Sequence, residues 1–232
     1  MSYIDFARDP QRDPTFWHYN LPEFLKLVPA PGALTMDVGC GEGRVARALA
    51  ACGHTVVGVE PIPALAFAAQ AHPAPTRTVI ADGVALPIKA RSADLVVFFM
   101  VLYNARELAG LLDEAARVLR PGSQLCAALI HPIHNIGRFS DDATEYTVRR
   151  SYFEQGERRA WSYWSDKNGS RIPIRFWHRP LSAYTEALSN AGFIIERLVE
   201  PMPPSEDSLV LLPRWQQRLL IPSFVHIRAR LL

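Results

Sequence analysis

Asp37, Gly39, Gly41 and Gly43 stand on alternate positions in the run LTMDVGCGEGRVAR, residues 34–47. Glycines in a tight turn accept positive φ and let the backbone approach a ligand where a β-carbon would block it. The run therefore suits a nucleotide-like cofactor. A dinucleotide fingerprint needs its third glycine at position 44, which holds arginine; here the third glycine arrives one residue early. An acid two residues ahead of the first glycine repels a pyrophosphate and welcomes the ammonium of an amino acid, directly or through water. The combination favours an aminoacyl nucleoside over NAD. Further groups able to do chemistry are His131 and His134 in HPIHN, Tyr103 beside Asn104, and His178-Arg179, which either bind an acidic group or cap the next helix.

These residues are positioned by alternating β- and α-patterned segments. The apolar run into Asp37 reads as a first strand, and the Ala/Leu/Arg-rich stretch from Val45 to Cys52 as a helix closed by Gly53. His54–Glu60, Thr76–Ala81, Asp94–Met100 and Gln124–Ile130 read as further strands, separated by helices over Leu65–Ala71 and Glu107–Leu119. Strands alternating with helices of this length make a doubly wound, mostly parallel sheet, because parallel strands need crossover connections. In such a sheet the ligand lies at the carboxyl ends of the strands. The first dozen residues, polar and broken by proline, are expected to be loose, and Thr15 opens a short aromatic helix. A helix over Leu181–Gly192 leads to the strand FIIERLVEP, and the alternating tail Ser223–Arg230 is expected as a last, antiparallel edge strand.

Residues 132–179 break the rhythm. Arg158–Ser165 and Arg171–Trp177 are aromatic-rich runs joined by Asp166-Lys167-Asn168-Gly169, and an Asn-Gly pair between β-favouring segments signals a hairpin. We expect one domain over 1–232, with 132–179 as an inserted β-hairpin cap over the substrate pocket. It carries Tyr146, Tyr152, Phe153, Trp161, Tyr163, Trp164, Phe176 and Trp177 among its aromatics. They can form a flat apolar surface for a ring-bearing or lipophilic small molecule, or an ordinary hairpin core.

Composition narrows the function classes. A formal charge of +2 with scattered basic residues is not the footprint of a dedicated nucleic-acid binder. Three cysteines, Cys40, Cys52 and Cys126, without CxxC spacing argue against a disulfide framework and against a structural zinc, so no metal is expected and a reducing cytoplasm fits best. The longest apolar run, Leu95–Leu102, is far too short to span a bilayer, and a soluble protein, monomer or homodimer, is expected.

The sequence resembles the class I S-adenosylmethionine-dependent methyltransferases, from about Tyr19 to Pro201, with DVGCGEGR matching their first motif. The resemblance implies a Rossmann-like sheet and S-adenosyl-L-methionine as cofactor. It assigns cofactor contacts to Asp37, Gly39, Cys40, Gly41 and Arg44 of the turn. Glu60, with Pro61, ends the second strand and would bind the ribose hydroxyls; Asp82, in ADGVALP, would take the adenine amino group, with Gly83 and Val84 at the ring edge. Phe99 and Met100 would line the methionine moiety, and Tyr19 resembles an aromatic that reaches the cofactor carboxylate. The candidates for a catalytic base are His134 and His131, which follow the fifth strand and should open toward the sulfonium, and Tyr103, which follows the fourth where many members carry a histidine and this chain has Tyr103-Asn104. The expected reaction is methyl transfer to O or N of a small molecule. RNA or protein methylation, or cofactor binding without catalysis, are the alternatives.

Overall fold

The strands form a seven-stranded sheet in a computed structural model that describes residues 2–142, 144–165, 170–203 and 217–232. In chain order the strands are β1 (Thr35–Val38), β2 (Val56–Val59), β3 (Arg77–Val79), β4 (Ala93–Phe99), β5 (Leu119–Ile130), then β6 (Gly137–Phe139), β7 (Tyr146–Val148), β8 (Gly156–Ser165), β9 (Arg171–His178), β10 (Phe193–Val199) and β11 (Phe224–Leu231). The helices are α1 (Tyr3–Arg8), α2 (Leu21–Leu25), α3 (Arg44–Ala51), α4 (Pro63–Gln70), α5 (Leu108–Val118) and α6 (Leu181–Asn190). The main sheet runs β10-β11-β5-β4-β1-β2-β3. From β5 to β3 every pairing is parallel, whereas β11 is antiparallel to both β5 and β10.

Central strands covered on both faces should be apolar throughout, and β4 shows this. Val96 and Phe98 join one core cluster with Leu112 and Ala115 of α5 and Leu188 of α6. Leu95, Val97 and Phe99 join the opposite one with Phe16, Phe24 of α2, and Val45 and Leu49 of α3. Met36 and Val38 of β1 belong to the first cluster. Side chains alternate along a strand, so Asp37 is turned to the other face, toward α3.

Three sequence expectations change. The N-terminal residues are not loose through residue 8: Ser2 accepts from the Asp5 N–H and the Asp5 carboxylate accepts from the Ser2 N–H, closing a capping box on α1, and Phe6 and Ala7 are buried. The aromatic segment begins as a π-helical turn over Phe16–Asn20 before α2. Pro22 has no N–H to give to a regular helix and its ring crowds the preceding turn; the wider turn is the relief. The tail is not an edge strand: β11 lies inside the sheet and β10 is the edge. Its alternation is misleading, because Phe224, Val225, His226 and Ile227 are all buried in succession. His226 is tolerated there because its Nε2 bonds Asn20 Oδ1 at 2.8 Å and its ring meets Phe24 edge-on.

The insertion comprises two hairpins, β6–β7 and β8–β9. The second is attached at the end of β4, where the Trp177 N–H donates to the Tyr103 carbonyl at 2.6 Å. The connection Asp166–Gly169, the side chains of Trp161, Tyr163 and Trp164, and Pro204 lie outside the described residues.

Burial pushes the His226 imidazole down to about 4 from its ordinary 6.5. The unfolded chain therefore takes up a proton that the folded one refuses, so the stability held by neutral His226 is intact above pH 6.5 and lost as pH falls toward 4. His226→Gln keeps an N–H for Asn20 without titrating. Urea midpoints over that pH range should fall more steeply for the wild type than for this variant.

Candidate functional site

The glycine turn is stitched to the end of β2. Gly39 and Cys40 both donate their N–H to the Val59 carbonyl, at 2.7 and 3.1 Å, and Gly41 donates to Glu60 Oε2 at 2.8 Å. Gly43, the N-cap of α3, donates to the Cys40 carbonyl at 3.0 Å. The turn closes this way because Gly39, Gly41 and Gly43 take φ of 76°, 57° and 88°. Its consequence is chemical. A phosphate cradle needs free backbone N–H groups, and these four are already spent.

What the turn offers instead is carboxylates. Asp37 is 1% exposed; its carboxylate accepts from the Ala46 N–H in the first turn of α3, while Oδ2 is buried without a partner. Burial pushes its carboxyl up to about 7, with Glu60 adding repulsion and the Ala46 N–H opposing. Glu60, also buried, receives Gly41 N–H on Oε2 and Ile62 N–H on Oε1, at 2.8 and 3.0 Å, and burial raises its pKa as well. Beyond β3, Asp82 is exposed and its Oδ1 accepts from the Val84 N–H at 3.2 Å. Gly83 packs tightly beneath it, since a β-carbon there would come within 2.5 Å of Leu111. Pro61 and Val84 are exposed. The rim thus accepts hydrogen bonds more readily than it donates them, and matches a ligand carrying hydroxyls, amines or an ammonium.

At the end of β4, Phe99 is buried edge-on against Phe16 and Phe24, on the α2 side. Met100 follows with φ of 60°, a left-handed conformation that a non-glycine residue rarely takes, held by its N–H on the Ala128 carbonyl and by Asn20 Nδ2 on its sulfur. Cys40 is buried, with its sulfur in the space that Gly58 leaves open. Arg44 is engaged elsewhere: Nη1 donates to Asp13 at 2.8 Å and to the Ala7 carbonyl, and the guanidinium lies 3.5 Å from the centre of the Phe16 ring. Tyr19 gives its hydroxyl to the Pro201 carbonyl at 2.5 Å.

The histidines open at the exit of β5, on a 3-10 turn over Pro132–Asn135. His131 Nδ1 accepts from the Ile133 N–H, so in the neutral ring Nε2 carries the proton given to Glu200 at 2.9 Å. Burial lowers its pKa although Glu200 opposes this. His134 differs: burial, then Arg218 and His131, push it down to about 4, its ring packs against Phe139, and Nε2 is buried with no partner. Burial raises the Tyr103 hydroxyl, and the Asn104 side chain, hydrogen-bonded to it, opposes this.

Two residues at the turn escape a reading by motif. Tyr3 of α1 brings its hydroxyl to 3.5 Å from where a Gly41 β-carbon would stand, with Arg44, Glu42 and Glu60 near enough to influence it. Glu42, with a wholly buried side chain, holds two cations: Arg8 of α1 at 2.8 Å and Arg47 of α3 at 2.7 Å. Together with Arg44 they fasten α1 over the turn. The signal in the sequence is the Ser2-x-x-Asp5 capping box, which marks a helix start in an otherwise proline-broken stretch.

Residues 36–127 match a family model described as "Methyltransferase domain". An uncharacterised methyltransferase of Mycolicibacterium vanbaalenii is 31% identical over 159 residues, 68% of this chain and 56% of that protein. A ubiquinone biosynthesis O-methyltransferase of Methylobacterium sp. is 30% identical over 114 residues, covering 44% of this chain and 43% of that protein. The chain thus spans about half the length of these curated relatives. Among solved structures, an S-adenosylmethionine-dependent methyltransferase from Mesorhizobium loti superposes with a TM-score of 0.77 at 23% identity, covering 95% of this chain and 99% of that one, which is a likeness of fold.

Removing the buried Glu42 carboxylate strands the guanidiniums of Arg47 and Arg8, whose side chains are 15% and 32% exposed, so Glu42→Ala should cost less in urea unfolding than the about 3–5 kcal/mol of a fully buried pair. Arg8→Ala leaves the Glu42–Arg47 pair intact and should cost less. Its expected mark is faster hydrogen exchange confined to residues 3–8, measured by mass spectrometry.

Proposed function

We propose, for a chain whose residues 36–127 carry a methyltransferase domain of the class I S-adenosylmethionine-dependent family, that it binds S-adenosyl-L-methionine at the glycine turn and methylates an O or N atom of a small molecule. The observation that carries this reading is an orphaned carboxylate beside engaged N–H groups: Asp37 Oδ2 is buried with nothing to accept from, and the N–H groups of Gly39, Cys40, Gly41 and Gly43 are already given to acceptors of the chain. An amino acid ammonium, directly or through water, answers that need. The same residues fit the rest of an aminoacyl nucleoside. Glu60 keeps unused lone pairs for ribose hydroxyls, and Asp82 is exposed at the rim for an exocyclic amine, beside Gly83 and Val84. Gly39, Cys40 and Gly41 contribute the close approach of their backbone, and Met100 and Tyr103 border the methionine end. Pro61, Tyr19, Arg44 and Phe99 would act at one remove, by shaping the turn and the strand end.

The cofactor supplies an electrophilic methyl group on a sulfonium. The chain's own residues must hold the acceptor in line and keep water out. Orientation of this kind can supply roughly 7–11 kcal/mol of a barrier. A general base is needed only for an acceptor that arrives protonated, and then adds about 10²–10⁴-fold. His134 is the best-suited residue for it, with neutral Nε2 unengaged at the carboxyl end of β5. His131 is occupied by Glu200 and serves to fix the turn that carries His134. Burial makes the Tyr103 hydroxyl a poor base and a reasonable hydrogen-bond donor. The two inserted hairpins would cap the acceptor, with Tyr146, Tyr152, Phe176 and Trp177 among the aromatics available to it. The likeness to a ubiquinone biosynthesis O-methyltransferase supports a ring-bearing acceptor. The three cysteines are free, which supports a reducing, cytoplasmic setting, and no helix among the described residues is long and apolar enough to cross a membrane.

Titration with S-adenosylhomocysteine should give saturable heat, and its absence would refute the cofactor assignment. Asp37→Asn and Glu60→Gln should each weaken binding at least tenfold. Because the Asp37 carboxyl lies near 7 when buried alone, a bound ammonium must lower it and expel a proton. Binding enthalpy near neutral pH should accordingly depend on the buffer's ionisation enthalpy in the wild type, and much less in Asp37→Asn. Once an acceptor is known, His134→Ala should lose the limb of the pH–rate profile that a base imposes; an unaltered profile removes it from that role.

A further inference from the structure

One other surface depression joins cations to buried polar atoms that have no partner. It measures about 300 Å³ and is lined by Arg106 and Glu107 on the segment after β4, Gly156 at the start of β8, and Trp177, His178 and Arg179 at the end of β9. It therefore opens beside the point where Trp177 hangs on the Tyr103 carbonyl, at the carboxyl end of the sheet.

The two arginines bring different things to it. Arg179 is anchored, Nη2 donating to the carbonyls of Ala105 and Arg106 at 2.9 and 2.7 Å, yet its Nη1 is buried with no acceptor. A guanidinium cannot shed its charge to escape that cost, and the Tyr184 hydroxyl beside it leaves Nη1 without a hydrogen bond of normal length. Arg106 is held only loosely, its side chain 78% exposed and its ion pair with Glu107 long, at 3.6 Å, and open to water, hence weak. The guanidinium carbons of Arg106 and Arg179 stand 6.0 and 5.9 Å from the centre of the Trp177 ring, so both cations border one indole.

His178 adds an acceptor. It is 1% exposed, and its Nε2 is paired with the Tyr152 carbonyl at 2.9 Å. In the neutral ring that partner fixes the proton on Nε2 and makes Nδ1 the acceptor, buried and unpartnered. Two guanidiniums against one carboxylate leave an excess of one positive charge, and the volume is at the small end of ligand pockets.

We propose that this depression receives the carboxylate of a small ring-bearing acid, with the acid group on Arg106 and Arg179 Nη1, the ring against Trp177, and a hydroxyl or amine of the ligand donating to His178 Nδ1. Resting on the methyltransferase reading above, the acid is the methyl acceptor. A carboxylate fits better than a fully ionised phosphate, which brings a second charge toward Glu107 and no donor for His178.

The test is calorimetry with benzoate, 3-hydroxybenzoate, benzamide and inorganic phosphate on the full chain, with S-adenosylhomocysteine titrated separately. Benzoate should bind saturably, 3-hydroxybenzoate more tightly, and benzamide and phosphate at least tenfold more weakly than benzoate. Arg106→Gln, a change to an exposed side chain, should weaken benzoate about tenfold while leaving the heat of S-adenosylhomocysteine unchanged; Arg179→Lys should do the same if it retains wild-type thermal stability. No saturable heat with benzoate, benzamide binding as well as benzoate, or an Arg106→Gln variant that binds benzoate like the wild type would overturn the site. Phosphate binding as tightly as benzoate would overturn the ring-acid assignment, and 3-hydroxybenzoate binding no better than benzoate would overturn the role of His178. Benzoate binding without any heat from S-adenosylhomocysteine would instead overturn the acceptor role and the methyltransferase reading, and leave an acid site.

Discussion

Everything at the glycine turn depends on where its backbone N–H groups go. Gly39 and Cys40 share the Val59 carbonyl and Gly41 takes the Glu60 carboxylate, so the loop after the first strand is bonded to the end of the second. The bonds need left-handed backbone at alternate positions, and glycine supplies it without the strain that a β-carbon brings. The arrangement settles the polarity of the rim. Donors that would otherwise face a ligand are turned inward, and carboxylates of Asp37, Glu60 and Asp82 are left facing outward or buried nearby. A site of that polarity selects by what the ligand can donate.

A second layer of control comes from ion pairs rather than from the sheet. Glu42 belongs to the turn, Arg47 to the helix that follows it, and Arg8 to the first helix of the chain. Buried ion pairs seldom add much net stability over apolar packing, but they fix geometry because each partner is costly to leave alone. Here they fix α1 above the turn and bring Tyr3 to the edge of Gly41. Arg44 reinforces this through Asp13 and the Phe16 ring. The turn is therefore covered by a helix whose fastenings are electrostatic.

Local features were legible in the sequence and non-local ones were not. The glycine spacing, the acid ending β2 and the apolar runs of β1, β4 and β5 each declare themselves within a dozen residues, so the parallel part of the sheet follows from them. The helix at Tyr3–Arg8 has only its capping box as a local signal, because what holds it otherwise is Glu42 and the burial of Phe6 and Ala7, contacts that composition cannot report. The β6–β7 hairpin was missed because its strands are three residues each and carry little alternation. The tail misled for a different reason: arginines at Arg228 and Arg230 mimic a solvent face, whereas Glu196 of β10 pairs with both, at 3.3 and 2.9 Å, across a strand that is interior. Around the candidate site, the carboxylates were legible from their motif positions. The directions of Arg44 and Tyr19 were not, because they are set by Asp13 and by the Pro201 carbonyl.

The interior position of β11 bears on how the chain reaches its fold. β5 and β10 are neighbours in space only through β11, which is made after both. During synthesis the parallel strands can assemble while β5 still presents an open edge of unpaired N–H and C=O groups. An open edge on an apolar strand is a site for wrong pairing. The last strand closes that edge by sliding between two elements already made, a pairing of large sequence separation and therefore slow. The exposure of the nascent β5 edge, rather than the stability of the finished sheet, is the stage at which this architecture is most open to aggregation.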